Sequence, residues 1–168
     1  GKVLWTRQLL SGDMGNGACL AADKTNCPEP HGPDYDLGTS AALIELDSGK
    51  RVLAIGQKSG MVWALDPDDA GRVVWSARVG RGGVLGGVQW GIATDGRNVY
   101  AAVSDIAFVN PVLGQPLSPD PAAGGSLAHV SGRHGRSCRE GERCRGDGRD
   151  ERSADEGQDA GGAHGARS

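Results

Sequence analysis

Aromatic residues are scarce in this chain, and they are unevenly placed. Seven occur in 168 residues, all between Trp5 and Phe108, and the last 60 residues have none. From Ser131 to Ser168 there is no Val, Ile, Leu, Met, Phe, Trp or Tyr. Such a segment cannot bury enough apolar surface to offset the entropy of ordering its backbone. The composition therefore predicts about 130 foldable residues, enough for one small domain, followed by a disordered tail. A basic face is also missing. The first 130 residues carry 10 Lys plus Arg against 13 Asp plus Glu, and the eight Arg of the tail are matched by eight acids. Nucleic acid is thus an improbable partner, since its binders concentrate positive charge. No run approaches 18 apolar residues, which excludes a hydrophobic membrane-spanning helix. Neither C-x-x-C nor C-x-x-C-H occurs, so thioredoxin chemistry and c-type haem attachment have no motif here. Gly1 opens in mid-pattern, without a Met or a signal peptide, and reads as the cut end of something longer.

What is present points to an all-β chain. Short β-branched or aromatic runs alternate with Gly, Asp and Pro. Val3–Gln8 reads as a strand, and 11–38 as a long Gly/Asn/Asp/Pro loop. Ala41–Leu46, Arg51–Ile55, Met61–Leu65 and Val73–Arg78 then form an antiparallel meander, and Asn98–Val103 is a further strand. The turns fall at Asp47-Ser48-Gly49, Gln57–Gly60, Pro67–Gly71 and Asp95-Gly96. Cys19 and Cys27 lie in the long loop, either as two free thiols or as a local disulfide; the second is favoured because a long polar loop needs a constraint. A disulfide would place the protein in an oxidising compartment. Cys138 and Cys144 fall in the tail. His31 stands alone in a Pro/Gly loop and reads as a surface histidine.

An internal echo sharpens the picture. Gly1-Lys2-Val3-Leu4-Trp5 and Gly71-Arg72-Val73-Val74-Trp75 share a pattern, the second preceded by Ala64-Leu65-Asp66. Asp66 and Gly71 would make a turn, letting Trp5 and Trp75 lie as apolar plates between neighbouring sheets. These residues resemble the tryptophan docking motif of the quinoprotein β-propellers, the repeat of PQQ-dependent alcohol dehydrogenases. Cys19…Asn26-Cys27-Pro28, Gly32–Gly38, Ala54–Asp66 and Val79–Gly91 extend the likeness over roughly residues 1–128, and together resemble the polyvinyl-alcohol dehydrogenase branch.

The resemblance implies about two blades of an eight-bladed propeller over 1–128. Residues 129–168 form a tail whose abrupt Gly/Arg/Asp/Glu composition reads as out-of-frame translation or as a natural polyampholyte. It further implies a periplasmic or secreted alcohol oxidoreductase that holds pyrroloquinoline quinone (PQQ) and calcium and passes electrons to cytochrome c. Lys58 matches the basic residue that contacts the quinone, where a fixed cation stabilises developing negative charge; without the resemblance it would read as a solvated hairpin tip. Gln89 and Trp90 fall beside the cofactor, with a buried Trp under a Gly-rich loop as the competing reading. Gly82, Gly83, Gly86 and Gly87 permit close backbone approach without forming a nucleotide fingerprint. Asp34 and Asp36 correspond to a Trp-Asp-Tyr element whose Trp is here Pro33, and turn formation is their favoured role. The calcium ligands and catalytic base are expected outside this chain, and the isolated chain is expected to be inactive. A non-catalytic propeller scaffold for protein binding is the alternative, and a carbohydrate-binding β-domain a third.

Overall fold

A computed structural model describes residues 1–107, 120 and 122–139. The architecture is all-β: two four-stranded antiparallel sheets, with no α-helix among the described residues. The first sheet is the meander β1 (Ala42–Glu45), β2 (Arg51–Gly56), β3 (Met61–Asp66) and β4 (Arg72–Arg78). The second is β5 (Ile92–Thr94), β6 (Asn98–Ser104), β7 (Gly125–Ser131) and β8 (Ser137–Arg139), also paired in chain order. The turns fall where Gly and Asp punctuate the sequence. At 95–98, for example, the Asp95 carboxylate accepts from the backbone N–H groups of Arg97 and Asn98, from Asn98 Nδ2 and from the Tyr100 hydroxyl.

Strand alternation explains the core. Ala42, Ala54, Ala64 and Trp75 are cross-strand neighbours in one row, with Ile44 opposite Val52 and Val62 opposite Ala77. From the other sheet come Val99 opposite Val130 and Ala101 opposite Ala128. All of these except the half-buried Ala42 belong to one buried cluster. The alanines let the sheets approach closely, and the strands that meet between them are β1 and β5, each the first of its meander.

Two tryptophans clamp the turns. Trp5 Nε1–H donates to the Pro67 carbonyl at 3.2 Å, and its ring lies over Gly71, where a Cβ would collide with it. Trp75 Nε1–H donates to the Gly132 carbonyl at 2.8 Å, and its ring lies over Gly135 in the same way. Ring, carbonyl and left-handed glycine (φ 66° at Gly71, 65° at Gly135) thus recur at the β3–β4 and β7–β8 turns. Ala64 and Asp66 close β3 just before the first of these turns, Ala64 paired with Trp75 and Asp66 with Arg72. An ion pair from Arg133 to Asp47 ties the second turn to the β1–β2 turn.

Two expectations differ from this arrangement. Val3–Gln8 forms no strand: no described strand lies alongside to take its backbone groups, and Val3 and Leu4 are 74% and 82% exposed. Trp5 is its anchored residue. High β-propensity gives a strand only with a partner. At the other end, β7 and β8 run past the boundary drawn after residue 128. Among the described side chains of 129–139, Val130, opposite Val99, is the one apolar side chain put into the core, and the Trp75 ring from the first sheet covers Gly135. Residues 140–168, including Cys144, lie outside the described residues.

Candidate functional site

An up-and-down meander sorts its connections between two ends. The segment entering β1, the β2–β3 turn and the segment leaving β4 share one end; the β1–β2 and β3–β4 turns lie at the other. At the first end, residues 34–39, 57–60 and 79–90 converge. Lys58 N–H donates to the Asp36 carbonyl at 3.0 Å, and the Lys58 carbonyl accepts from Gly83 N–H at 3.0 Å. The Gln57 carbonyl accepts from Val88 N–H at 3.1 Å. Thr39 Oγ1 accepts from Gly56 N–H at 3.0 Å, and Gly38 packs on the Gln89 backbone.

The glycines of the 80–87 loop make this convergence possible. Gly82 and Gly87 have φ of 80° and 72°, and a Cβ on either would strike the Lys58–Ser59 backbone. Their close approach is therefore to the turn itself. Gly87 also exchanges both backbone hydrogen bonds with Ser104 at the end of β6, joining the second sheet to the site. Asp105 Oδ1 accepts from Arg81 N–H at 2.8 Å beside it.

Lys58 is no solvated hairpin tip. Its side chain is 15% exposed, and Nζ donates to Asp36 Oδ2 at 2.6 Å, with Asp34 Oδ1 at 3.6 Å. Burial works against the ammonium, but the Asp36 hydrogen bond and the charges of both carboxylates outweigh it, so Lys58 titrates above the ordinary lysine value. The carboxylates divide. Burial, reinforced by the Asp36 charge, raises Asp34 despite Lys58, whereas the Lys58 hydrogen bond lowers Asp36. Asp34 and Asp36, read from the sequence as turn formers, are brought together around the cation.

The signs give opposite expectations. Asp36, with its pKa lowered on folding, contributes stability above the usual carboxylate range that is lost as pH falls through its folded value. Asp34, with its pKa raised, resists ionisation in the fold, so its charge costs stability that is recovered on acidification. At pH 7, Asp36→Asn should lower unfolding free energy by about 0.5 kcal/mol, a small figure because the carboxylate is well solvated. Asp34→Asn should leave it unchanged or slightly raised. Urea denaturation of both variants checks this; a greater loss for Asp34→Asn reverses the assignment.

Gln89 and Trp90 differ in placement. Gln89 Nε2 donates to the Val84 carbonyl at 3.3 Å, which curls the Gly-rich loop. Trp90 is 86% exposed, which overturns the reading of a buried ring under that loop. Cys19 and Cys27 are joined as a disulfide. Cys19 lies in a turn of 3₁₀ helix (Gly17–Leu20) capped by Asn16, whose Oδ1 accepts from Ala18 N–H at 2.9 Å. The segment leading into the disulfide is tied to the segment that carries Asp34 and Asp36, with Gly15 N–H donating to Pro33 O at 2.8 Å and Tyr35 N–H donating to Asp13 Oδ1 at 2.8 Å. His31 is exposed, 4.0 Å from Glu29. Among the described residues no group of three or more His, Cys, Asp or Glu is placed to hold a metal, and no helix is long and apolar enough to cross a membrane.

Sequence reasoning did not single out Gln57 or Ser59. Both are buried, and Gln57 Oε1 accepts from Ser59 Oγ at 2.7 Å and from Trp63 Nε1 at 3.1 Å. The signal was the spacing of Gln57, Ser59 and Trp63 across a tight hairpin, which brings two donors to one amide oxygen.

No family model matches the chain, and no solved structure matches it. Among curated proteins, it is 45% identical over 106 residues to a polyvinylalcohol dehydrogenase of Pseudomonas sp., covering 63% of this chain and 16% of the relative. It is 42% identical over 118 residues to a polyvinylalcohol dehydrogenase of Sphingopyxis sp. strain 113P3, covering 69% of this chain and 18% of the relative. The chain is therefore related to the polyvinylalcohol dehydrogenases, of whose length it spans about a sixth.

Proposed function

We propose that this chain forms the cation-bearing wall of a PQQ site in a dehydrogenase that oxidises alcohol groups, polyvinyl alcohol among them. The observation that carries the reading is Lys58, an ammonium enclosed between Asp34 and Asp36 where three loops converge. A protein-binding scaffold has no use for a cation held in this way. The names of the relatives supply the dehydrogenase chemistry and the polymeric substrate. Two sheets packed side by side, with their first strands meeting and a tryptophan clamped on the β3–β4 and β7–β8 turns, support a propeller arrangement.

The residues fit such a group. An ammonium has three N–H donors, and Asp36 takes one at hydrogen-bonding distance while Asp34 stands farther off, leaving donor capacity for an anionic oxygen. The exposed Trp90 ring offers a flat apolar face for stacking, and Gln89 keeps its amide oxygen as an acceptor. When bound, PQQ supplies the two-electron acceptor for the alcohol. Lys58 would then hold positive charge where a quinone oxygen gains electron density, and its two carboxylates fix the ammonium so that little reorganisation is needed. Its raised pKa keeps it charged throughout the neutral range.

Because the chain spans 16–18% of its relatives, turnover is assigned to the whole enzyme and binding to this part. Calcium and the proton-abstracting base are assigned to no described residue. The Cys19–Cys27 disulfide supports a periplasmic or secreted location, and cytochrome c is the proposed electron acceptor.

Calorimetric titration with PQQ tests the reading. Lys58→Met should weaken binding by roughly 10- to 100-fold, the worth of a hydrogen bond to a charged donor. Equal affinity in wild type and Lys58→Met would remove Lys58 from the site.

A further inference from the structure

Gln57 holds a donor that the chain itself does not use. Its residue is 2% exposed, yet its side-chain amide has a fixed orientation. The Trp63 indole N–H can only donate, so the amide atom 3.1 Å from it must be the oxygen. The same oxygen lies 2.7 Å from Ser59 Oγ, which must then donate as well. With both acceptor positions of Oε1 filled, Nε2 is turned to the opposite side, and no described residue accepts from it. Leaving an enclosed amide N–H unpaired is costly. Nε2 is not sealed in, however. Among the described residues, the fully enclosed side-chain atoms without a partner are Ser126 Oγ and His129 Nε2, so Gln57 Nε2 keeps a small accessible surface.

The Gln57 backbone lies among the loops that converge on Lys58. Gln57 precedes Lys58 in the β2–β3 turn, and its carbonyl accepts from Val88 N–H, one residue before Gln89. The backbone amide of Gln57 is paired with Met61 at 2.9 Å, so the side-chain NH₂ is its remaining donor. A buried amide, oriented by two donors behind it and carrying an unpaired NH₂ one residue before Lys58 in the same turn, suits an oxygen-rich anion.

We infer that Gln57 Nε2 is a second ligand-contacting donor of this site, hydrogen-bonding an acceptor oxygen of the anion that Lys58 attracts, with Trp63 and Ser59 as the residues that aim it. The inference rests on the Lys58 reading, and the experiment separates the two. The ¹⁵N-labelled 168-residue chain is titrated with PQQ while the Gln57 side-chain NH₂ pair, assigned through its own carbons, is followed by NMR. The expected result is movement of that pair together with the Lys58 and Gln89 backbone signals. Gln57→Glu keeps an oxygen for Trp63 and Ser59 but replaces the donor by an anion. It should weaken PQQ binding at least about tenfold while the Trp63 indole signal stays in place. If Lys58 and Gln89 respond while the Gln57 pair does not, or if Gln57→Glu binds as wild type does, the role of Gln57 is overturned and that of Lys58 stands. If neither Lys58 nor Gln89 responds in wild type, the Lys58 reading fails and this one with it. Should Gln57→Glu not fold, the wild-type NH₂ pair decides alone.

Discussion

Replacing Trp75 by alanine is expected to lower unfolding free energy by about 3–5 kcal/mol, the range for emptying a large aromatic site in a packed core. The residue is 8% exposed, lies in the row continued by Ala64, Ala54 and Ala42, and covers Gly135 in the other sheet. Alanine would remove the ring, the donor to Gly132 and the cover over the β7–β8 turn at once. Since domains of this size are stable by about 5–15 kcal/mol, much of the folded population is at stake. Trp75→Phe keeps most of the ring and loses the N–H, leaving the Gly132 carbonyl to find water, at about 1–2 kcal/mol. Urea denaturation of the two variants measures both figures. Hydrogen exchange should show protection lost first in β7 and β8. A loss below about 1 kcal/mol for Trp75→Ala would mean that the ring does not clamp the second sheet.

The second large effect is expected at Gly87. Its φ is 72°, and an added Cβ would collide with the Lys58 carbonyl, so Gly87→Ala combines left-handed strain with displacement of the turn. Gly49 is the control, with φ 75° and open space around its would-be Cβ, at the opposite end of the sheet. Gly49→Ala should cost about 1 kcal/mol, the conformational part alone. Gly87→Ala should cost about 3 kcal/mol and, by moving Lys58, weaken PQQ binding at least about tenfold. Equal stabilities of the two variants would show that the loop yields freely and that close packing on the turn is unimportant.

How far these features could be read in advance depended on where the forces act. The meander was legible because its causes are local: Asp47-Ser48-Gly49 and Pro67–Gly71 specify turns within a few residues. The all-β character followed from the same punctuation. Val3–Gln8 was misread because propensity is local while pairing is not. The order in residues 129–139 was invisible for a related reason: the ring that covers Gly135 comes from Trp75, and composition within a segment says nothing about surface supplied by another. In the site, Lys58 stood out only through the family resemblance, since its partners Asp34 and Asp36 lie 24 and 22 positions back, beyond a loop whose path no pattern fixes. Trp90 beside a Gly-rich loop admitted both buried and exposed readings, and only the packing of Gly38 on Gln89 and of Gly87 on Lys58 chooses between them.

The tryptophan clamps carry one more consequence. In each, the ring arrives from earlier in the chain than the turn that receives it: Trp5 is seated at Pro67 and Gly71, and Trp75 at Gly132 and Gly135. A joint made of two unlike halves has polarity, like a plug and its socket, and the first sheet carries one of each, a socket at Pro67 and Gly71 and a plug at Trp75. Genetic gain or loss of a stretch running from just after one ring through the next would leave every remaining plug with a socket. A breakpoint between a socket and the ring that follows it would strand one half. Four positions after Gly71 stands Trp75, the ring of the next joint, whereas four positions after Gly135 stands Arg139, which carries no indole.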